Sequence, residues 1–128
     1  MRCPCRKKSD PTGYSACCQP HHDGDKIPET AETLMRTRYC AFALKKAAYL
    51  KSTWHPSTRP GVIDFEPDQQ WLRLRIKRAY GDDNQGWVSF EARSRVRGRS
   101  LVLNEVSRFL FQGGRWFYVD GEVSNEAP

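Results

Sequence analysis

The sequence predicts an α+β fold in which helices pack on a curved antiparallel sheet of about four strands, preceded by a small metal-stapled loop element. Three observations carry that expectation. Cys3, Cys5, Cys17 and Cys18 crowd into the first 18 residues. Apolar residues then recur at helical spacing between Thr30 and Leu50. After Pro67 the period falls to two, with turn residues between successive apolar runs. The 128 residues are 38% hydrophobic, enough for a single packed core. Residues 1–28 are assigned to the metal element and linker, and 29–128 to the α+β domain.

Residues 1–28 are rich in Cys, Pro, Gly and His and lack either period, ending in the linker Asp23–Pro28. Thr30 is placed to cap the next helix, with Glu32 in its first turn. Met35, Tyr39 and Phe42 make one stripe, with Leu34 and Ala41 beside it. A break near Ala43–Lys46 divides the segment into two helices, and Trp54-His55-Pro56 through Gly61 stops the second. In the first strand, Trp71–Tyr80, Leu72, Leu74 and Ile76 alternate with Trp71, Arg73, Arg75 and Lys77. Gly81–Gly86 turns the chain into Trp87–Arg97, where Val88, Phe90, Ala92 and Val96 share a face. Gly98 turns again into Leu101–Phe111, and Gly113-Gly114 leads to Arg115–Val119. Short turns between neighbours make an antiparallel meander. A helical layer on one side of the sheet buries both apolar faces.

Several function classes are excluded by composition. No apolar run approaches the roughly 20 residues of a membrane-spanning helix. The start, Met1 to Lys8, is charged and lacks the apolar stretch of a secretory signal. This predicts a protein of the reducing cytoplasm with no membrane partner. In that compartment four clustered thiols point to metal rather than disulfides. Tetrahedral Zn2+ held by four thiolates needs sulfurs about 3.8 Å apart, at Zn–S near 2.3 Å, which short loops deliver. Such an ion is structural, since four thiolates leave no open position. His21 and His22 are candidate substitute ligands, with the plainer reading that they are linker residues, and Cys40 is read as a small core residue.

The net charge is +6. Residues 1–30 hold five basic and four acidic residues, while residues 31–128 hold sixteen basic and eleven acidic. The basic excess therefore belongs to the larger part. Trp71, Arg73, Arg75 and Lys77 alternate on one strand, and Trp87, Arg93, Arg95 and Arg97 on the next. If the rows align they form a surface suited to nucleic acid; the plainer reading is a solvated face with Arg stems covering Trp.

The thiol spacing resembles the SEC-C motif, a small zinc-binding element of the SecA translocation ATPase and of many bacterial proteins. That motif runs Cys-x-Cys, a loop of about eight residues, then Cys followed by Cys or His. Here eleven residues separate Cys5 from Cys17, and Arg6-Lys7-Lys8 replaces the Gly-Ser-Gly after the second Cys. The resemblance implies Cys3, Cys5, Cys17 and Cys18 as ligands of structural Zn2+, and docking of a protein partner through the zinc element.

Nearly the whole chain is similar to the YchJ-type family of bacterial proteins. The matching runs are Ala31–Phe42, Tyr49-Leu50, Thr53–Pro56, Glu105–Phe109 and Gly114–Gly121. This resemblance implies a cone like that of nuclear transport factor two, with helices wrapped by a curved sheet and often a pocket inside. Arg36, Arg38, Tyr39, Trp54, Arg108, Trp116 and Tyr118 are the pocket or ligand-binding candidates. Arg36 and Arg38 lie two positions apart on the helix and face different sides, so one can enter the cone toward Glu105. Glu105, Ser107 and Phe109 share a strand face, with Arg108 opposite.

The first functional reading is therefore a non-enzymatic zinc-binding protein that docks a partner, with the cone as scaffold or ligand pocket. The alternative is a small-molecule enzyme using His55 as general base, oriented by Glu105 or Asp120. Nucleic-acid binding by the strand face is a third reading, and pairing of two copies through the sheet is a further expectation.

Overall fold

The computed structural model describes residues 1–123. After a 3-10 turn at Tyr14–Ala16 come helices α1 (Gln19–His22), α2 (Ala31–Ala43) and α3 (Ala47–Ser52). Four strands follow: β1 (Gln69–Gly81), β2 (Gln85–Val96), β3 (Arg99–Gln112) and β4 (Arg115–Val123). They pair in the order β1-β2-β3-β4, every pair antiparallel, in one curved open sheet. This is the expected meander.

The helix boundaries have local causes. Thr30 is extended and its Oγ1 accepts the Thr33 N–H, which caps the start of α2. At the other end Lys45 adopts φ 58°. The Lys46 N–H donates to Ala41 C=O (2.8 Å) and the Lys45 N–H to Phe42 C=O (3.4 Å). That pair of bonds is a Schellman termination, and it separates α2 from α3 where the sequence predicts a break. Beyond α3 the chain docks on β4: the Tyr118 N–H donates to Thr53 C=O and the His55 N–H to Tyr118 C=O.

Sheet hairpins use two-residue turns at Arg97-Gly98 and Gly113-Gly114, all four residues with positive φ. That handedness matches the twist of the flanking strands. The core is built from Leu34, Tyr39 and Cys40 of α2 against Leu74, Val88, Phe90, Ala92 and Phe109 of the sheet.

In β1 the structure departs from strict alternation. Register shifts fall between Trp71 and Arg73 and between Ile76 and Arg78. Each inserts a residue, and with a period of two one extra residue moves side chains to the other face. Leu72, expected in the core, is 43% exposed. Trp71, expected beside the arginines, packs inward against Tyr39 and Phe42. The two basic rows do oppose each other, Arg73 across from Arg93 and Arg75 from Glu91. Glu91 takes ion pairs from all three arginines at 3.1–4.0 Å. Trp87 lies farther along that face, stacked on Tyr80 with centroids 5.7 Å apart. The Trp/Arg surface therefore lacks one of its two tryptophans, and its central charges are shared with a carboxylate. Among the described residues no helix is long and apolar enough to cross a membrane.

Candidate functional site

Residues 1–22 wind back on themselves through Cys3 N–H to Thr12 C=O and Tyr14 N–H to Met1 C=O. This loop brings the two ends of the thiol motif together. Sulfur separations are 3.7 Å for Cys3–Cys5, 3.6 Å for Cys5–Cys17, 3.7 Å for Cys5–Cys18 and 4.0 Å for Cys17–Cys18. All four sulfurs lie within 4.8 Å of one another. A tetrahedron of sulfurs around zinc has edges of about 3.8 Å, so the four thiols fit a metal ion of that size and preference.

The electrostatics of the cluster favour a cation. Hydrogen bonding from Cys18, then from Cys40 and Cys5, holds the Cys3 thiol far below its ordinary value. Cys5 is drawn down to about 7, chiefly by Cys18. Burial pushes Cys17 up to about 11 against the opposing pull of Arg6, whose Nε donates to its sulfur at 3.2 Å. Hydrogen bonding to Cys3 pushes Cys18 up as well. Adjacent buried sulfurs cannot all ionise without a positive centre, and a metal supplies one in place of the protons.

The element is moored to α2. Arg36, reaching out of the helix, donates from Nη1 to Cys5 C=O (3.0 Å) and pairs with Glu32 (3.4 Å). His22 Nε2–H donates to Thr37 C=O (2.8 Å), which leaves Nδ1 to accept the Tyr14 hydroxyl (2.7 Å). His22 is thus a structural strut, a role that sequence spacing did not signal. A fifth sulfur also adjoins the cluster: Cys40 of α2, fully buried, lies 3.3 Å from Cys3. The sequence pattern assigns Cys40 to the core, where it is, but 37 residues of separation hid this neighbour.

A second feature is a partly open cavity of about 220 Å3 between α2 and the concave sheet. Arg38, Tyr39, Trp54, Glu105 and Tyr118 are among its lining residues. Arg38 is the arginine that enters the cone, while Arg36 turns to the thiol element. Arg38 is 3% exposed and forms no ion pair with Glu105. Its Nη1 donates to Leu50 C=O (2.9 Å) and to Thr53 Oγ1 (2.7 Å). Its guanidinium carbon lies 4.9 Å from the Trp54 ring centre and 4.4 Å from that of Tyr118. Burial brings its pKa down to about 10. Glu105 accepts the Ser107 hydroxyl at 2.7 Å.

The remaining candidates stand elsewhere. Arg108 lies on the outer face and makes a bidentate pair with Asp120 at 3.0 Å, opposite to Ser107 and Phe109 as alternation requires. Trp116 sits at the rim, its Nε1–H donating to Glu29 C=O (3.2 Å). His55 is not on the cavity wall. Its Nδ1 contacts Ser57 Oγ (2.7 Å) and its Nε2 contacts Gln112 Oε1 (2.6 Å). Neither Glu105 nor Asp120 is a partner, because the segment after α3 carries His55 past the end of the cone to the Gln112 end of β3.

Known proteins resemble this chain over most of its length. The family described as the YchJ, middle NTF2-like domain matches residues 30–121. A UPF0225 protein of Polaromonas naphthalenivorans is 42% identical, covering 94% of this chain and 96% of its own. One from Bordetella pertussis is 45% identical over 94% of this chain and 92% of its own. The solution structure of RPA3114, a SEC-C motif containing protein from Rhodopseudomonas palustris, superposes with a TM-score of 0.84 at 30% identity, covering 98% and 100% of the two chains. The crystal structure of a SEC-C motif containing protein from Psychrobacter arcticus gives 0.78 at 28% identity, covering 98% of this chain and 84% of its own.

Proposed function

The chain belongs to the YchJ-type, UPF0225 family, and from that premise we propose that it is a zinc-binding protein whose thiol element docks a protein partner, with the cone domain as its scaffold. One observation carries the reading: four sulfurs from two ends of a short loop meet within 4.8 Å of one another, with four of their six separations at 3.6–4.0 Å. Cys3, Cys5, Cys17 and Cys18 would hold the ion. Four thiolates close the coordination shell, so the metal organises the loop rather than performing chemistry. Lys7 and Lys8 stand exposed beside the site, which favours an acidic partner segment.

Elemental analysis of protein purified under reducing conditions without chelator tests the metal. The expected result is about one zinc per chain, with the ligand thiols unreactive until chelator is added. The Cys17→Ser/Cys18→Ser variant is expected to lose the zinc, and a crosslinked partner captured by the wild type is lost with it. Zinc-free protein with reactive thiols refutes the metal assignment, and a partner retained by the double variant refutes the docking role.

A further inference from the structure

We propose that the cone cavity binds a monocyclic aromatic carboxylate, with the Arg38 guanidinium receiving the carboxylate and Glu105 receiving a hydroxyl or amino hydrogen from the opposite part of the ring. The inference stands apart from the zinc reading and uses none of the thiols.

The starting point is a largely buried cation with donors to spare, in a cavity that also holds the buried, unpartnered Tyr39 hydroxyl and Trp54 Nε1–H. Of the five donors of Arg38, those on Nη1 reach Leu50 C=O and Thr53 Oγ1. Among the described residues Nε and Nη2 have no acceptor, and no carboxylate oxygen comes within 4.0 Å. Proteins pair buried charges because leaving one desolvated costs several kcal/mol. The Trp54 and Tyr118 faces offset part of that cost through cation–π attraction, at about 2 kcal/mol when desolvated. They satisfy no N–H.

Arg38 has an obvious intramolecular candidate in Glu105, which lines the same cavity. The structure keeps the two apart. Glu105 accepts from Ser107 on its own strand and packs against Gly121 of β4, so closely that a Cβ at position 121 would sit only 2.7 Å from its carboxyl carbon. The cavity therefore carries a cation from the helical side and a carboxylate from the sheet side that are not joined as an ion pair.

Size and lining define the ligand. A dry apolar cavity of about 150 Å3 accepts a benzene ring, so about 220 Å3 accommodates one ring with two small substituents. Trp71 and Phe90 join the aromatic wall, suited to the faces and edges of a flat ring. Aliphatic anions would satisfy Arg38 but waste this wall. A bidentate guanidinium–carboxylate pair supplies orientation as well as energy.

The probe is 4-hydroxybenzoate, titrated into the full-length, metal-loaded chain and read by calorimetry and by the indole N–H resonances of Trp54 and Trp71. The controls are 4-hydroxybenzyl alcohol, which keeps ring and hydroxyl but lacks the charge, and acetate, which keeps the charge but lacks the ring. The expected result is saturable one-to-one binding of 4-hydroxybenzoate with both indoles shifted, and at least tenfold weaker binding of each control. Arg38→Gln is expected to abolish the preference for acid over alcohol. Because that variant removes a buried charge and can unfold, Leu103→Phe, which fills the cavity without touching Arg38, provides a second check and is expected to block binding in a folded protein. Equal affinity for acid and alcohol, equal affinity for acetate, binding retained in Leu103→Phe, or no saturation by about 10 mM ligand, tenfold beyond a millimolar Kd, would each overturn the assignment.

Discussion

The Cys40 sulfur illustrates how much a single side chain depends on its neighbours. It is fully buried and 3.3 Å from Cys3, yet it comes from the α2 core rather than from the thiol loop. Replacing it by Ala removes one buried heavy atom, with an expected loss of about 1 kcal/mol in denaturant unfolding and no change in zinc stoichiometry. A drop in stoichiometry would make Cys40 a ligand. His22 supports a different prediction. Burial, opposed by its bond to Thr37 C=O, pushes its pKa below the ordinary value, and burial does the same to His21. The unfolded chain therefore binds more protons than the folded one below about pH 6.5, so stability rises with pH and is lost as pH falls through that value. Melting temperature is expected to fall between about pH 7.5 and 5.5, with a shallower slope in His22→Gln. Equal slopes in the two proteins would remove His22 from the account.

Among the elements, α2 is the one that both sites share. Its outer side meets the thiol element through Arg36 and Thr37, and its inner side sends Arg38 and Tyr39 to the cavity. Residues two apart diverge by about 200° around a helix, so Arg36 and Arg38 serve opposite surfaces. The helix ends at Lys45 in the left-handed region, which costs a residue with a Cβ about 1 kcal/mol relative to glycine. Lys45→Gly is therefore expected to raise the unfolding free energy by up to about 1 kcal/mol, measured by denaturant titration. A loss of stability would mean that the exposed Lys45 side chain contributes more than its strained backbone costs. In the sheet, the two bulges of β1 decide which residues face the cavity. Without them Leu72 would line it and Trp71 would stand among the arginines.

For the whole molecule, the N-terminal element and the cone differ in what holds them. Residues 30–123 bury a conventional core of Leu34, Leu74, Val88, Phe90 and Phe109. The first 22 residues contribute mainly Cys3, Cys5 and Cys18 to burial, too little apolar surface to order a loop by itself. Chelation is therefore expected to abolish hydrogen-exchange protection in residues 1–22 while the amides of β2 and β3 stay protected. Uniform loss across the chain would show that the element and the cone unfold as one unit.

Much of this organisation was legible in the sequence. Periodicity alone revealed the helical segment with its break near Ala43–Lys46, the four strands and their turns, because local spacing and turn chemistry determine which elements form. The thiol cluster was legible too, since Cys-x-Cys and Cys-Cys are short-range patterns. The tertiary structure decided what spacing cannot carry. It chose Arg38 over Arg36 for the cone interior, kept Glu105 out of ion-pair reach of Arg38, and brought Cys40 against Cys3. It turned Trp71 inward through a bulge and carried His55 to Ser57 and Gln112. Each of these depends on the packing of segments far apart in the chain, where a register shift of one residue or a helix rotation of about 100° reassigns a side chain from solvent to site.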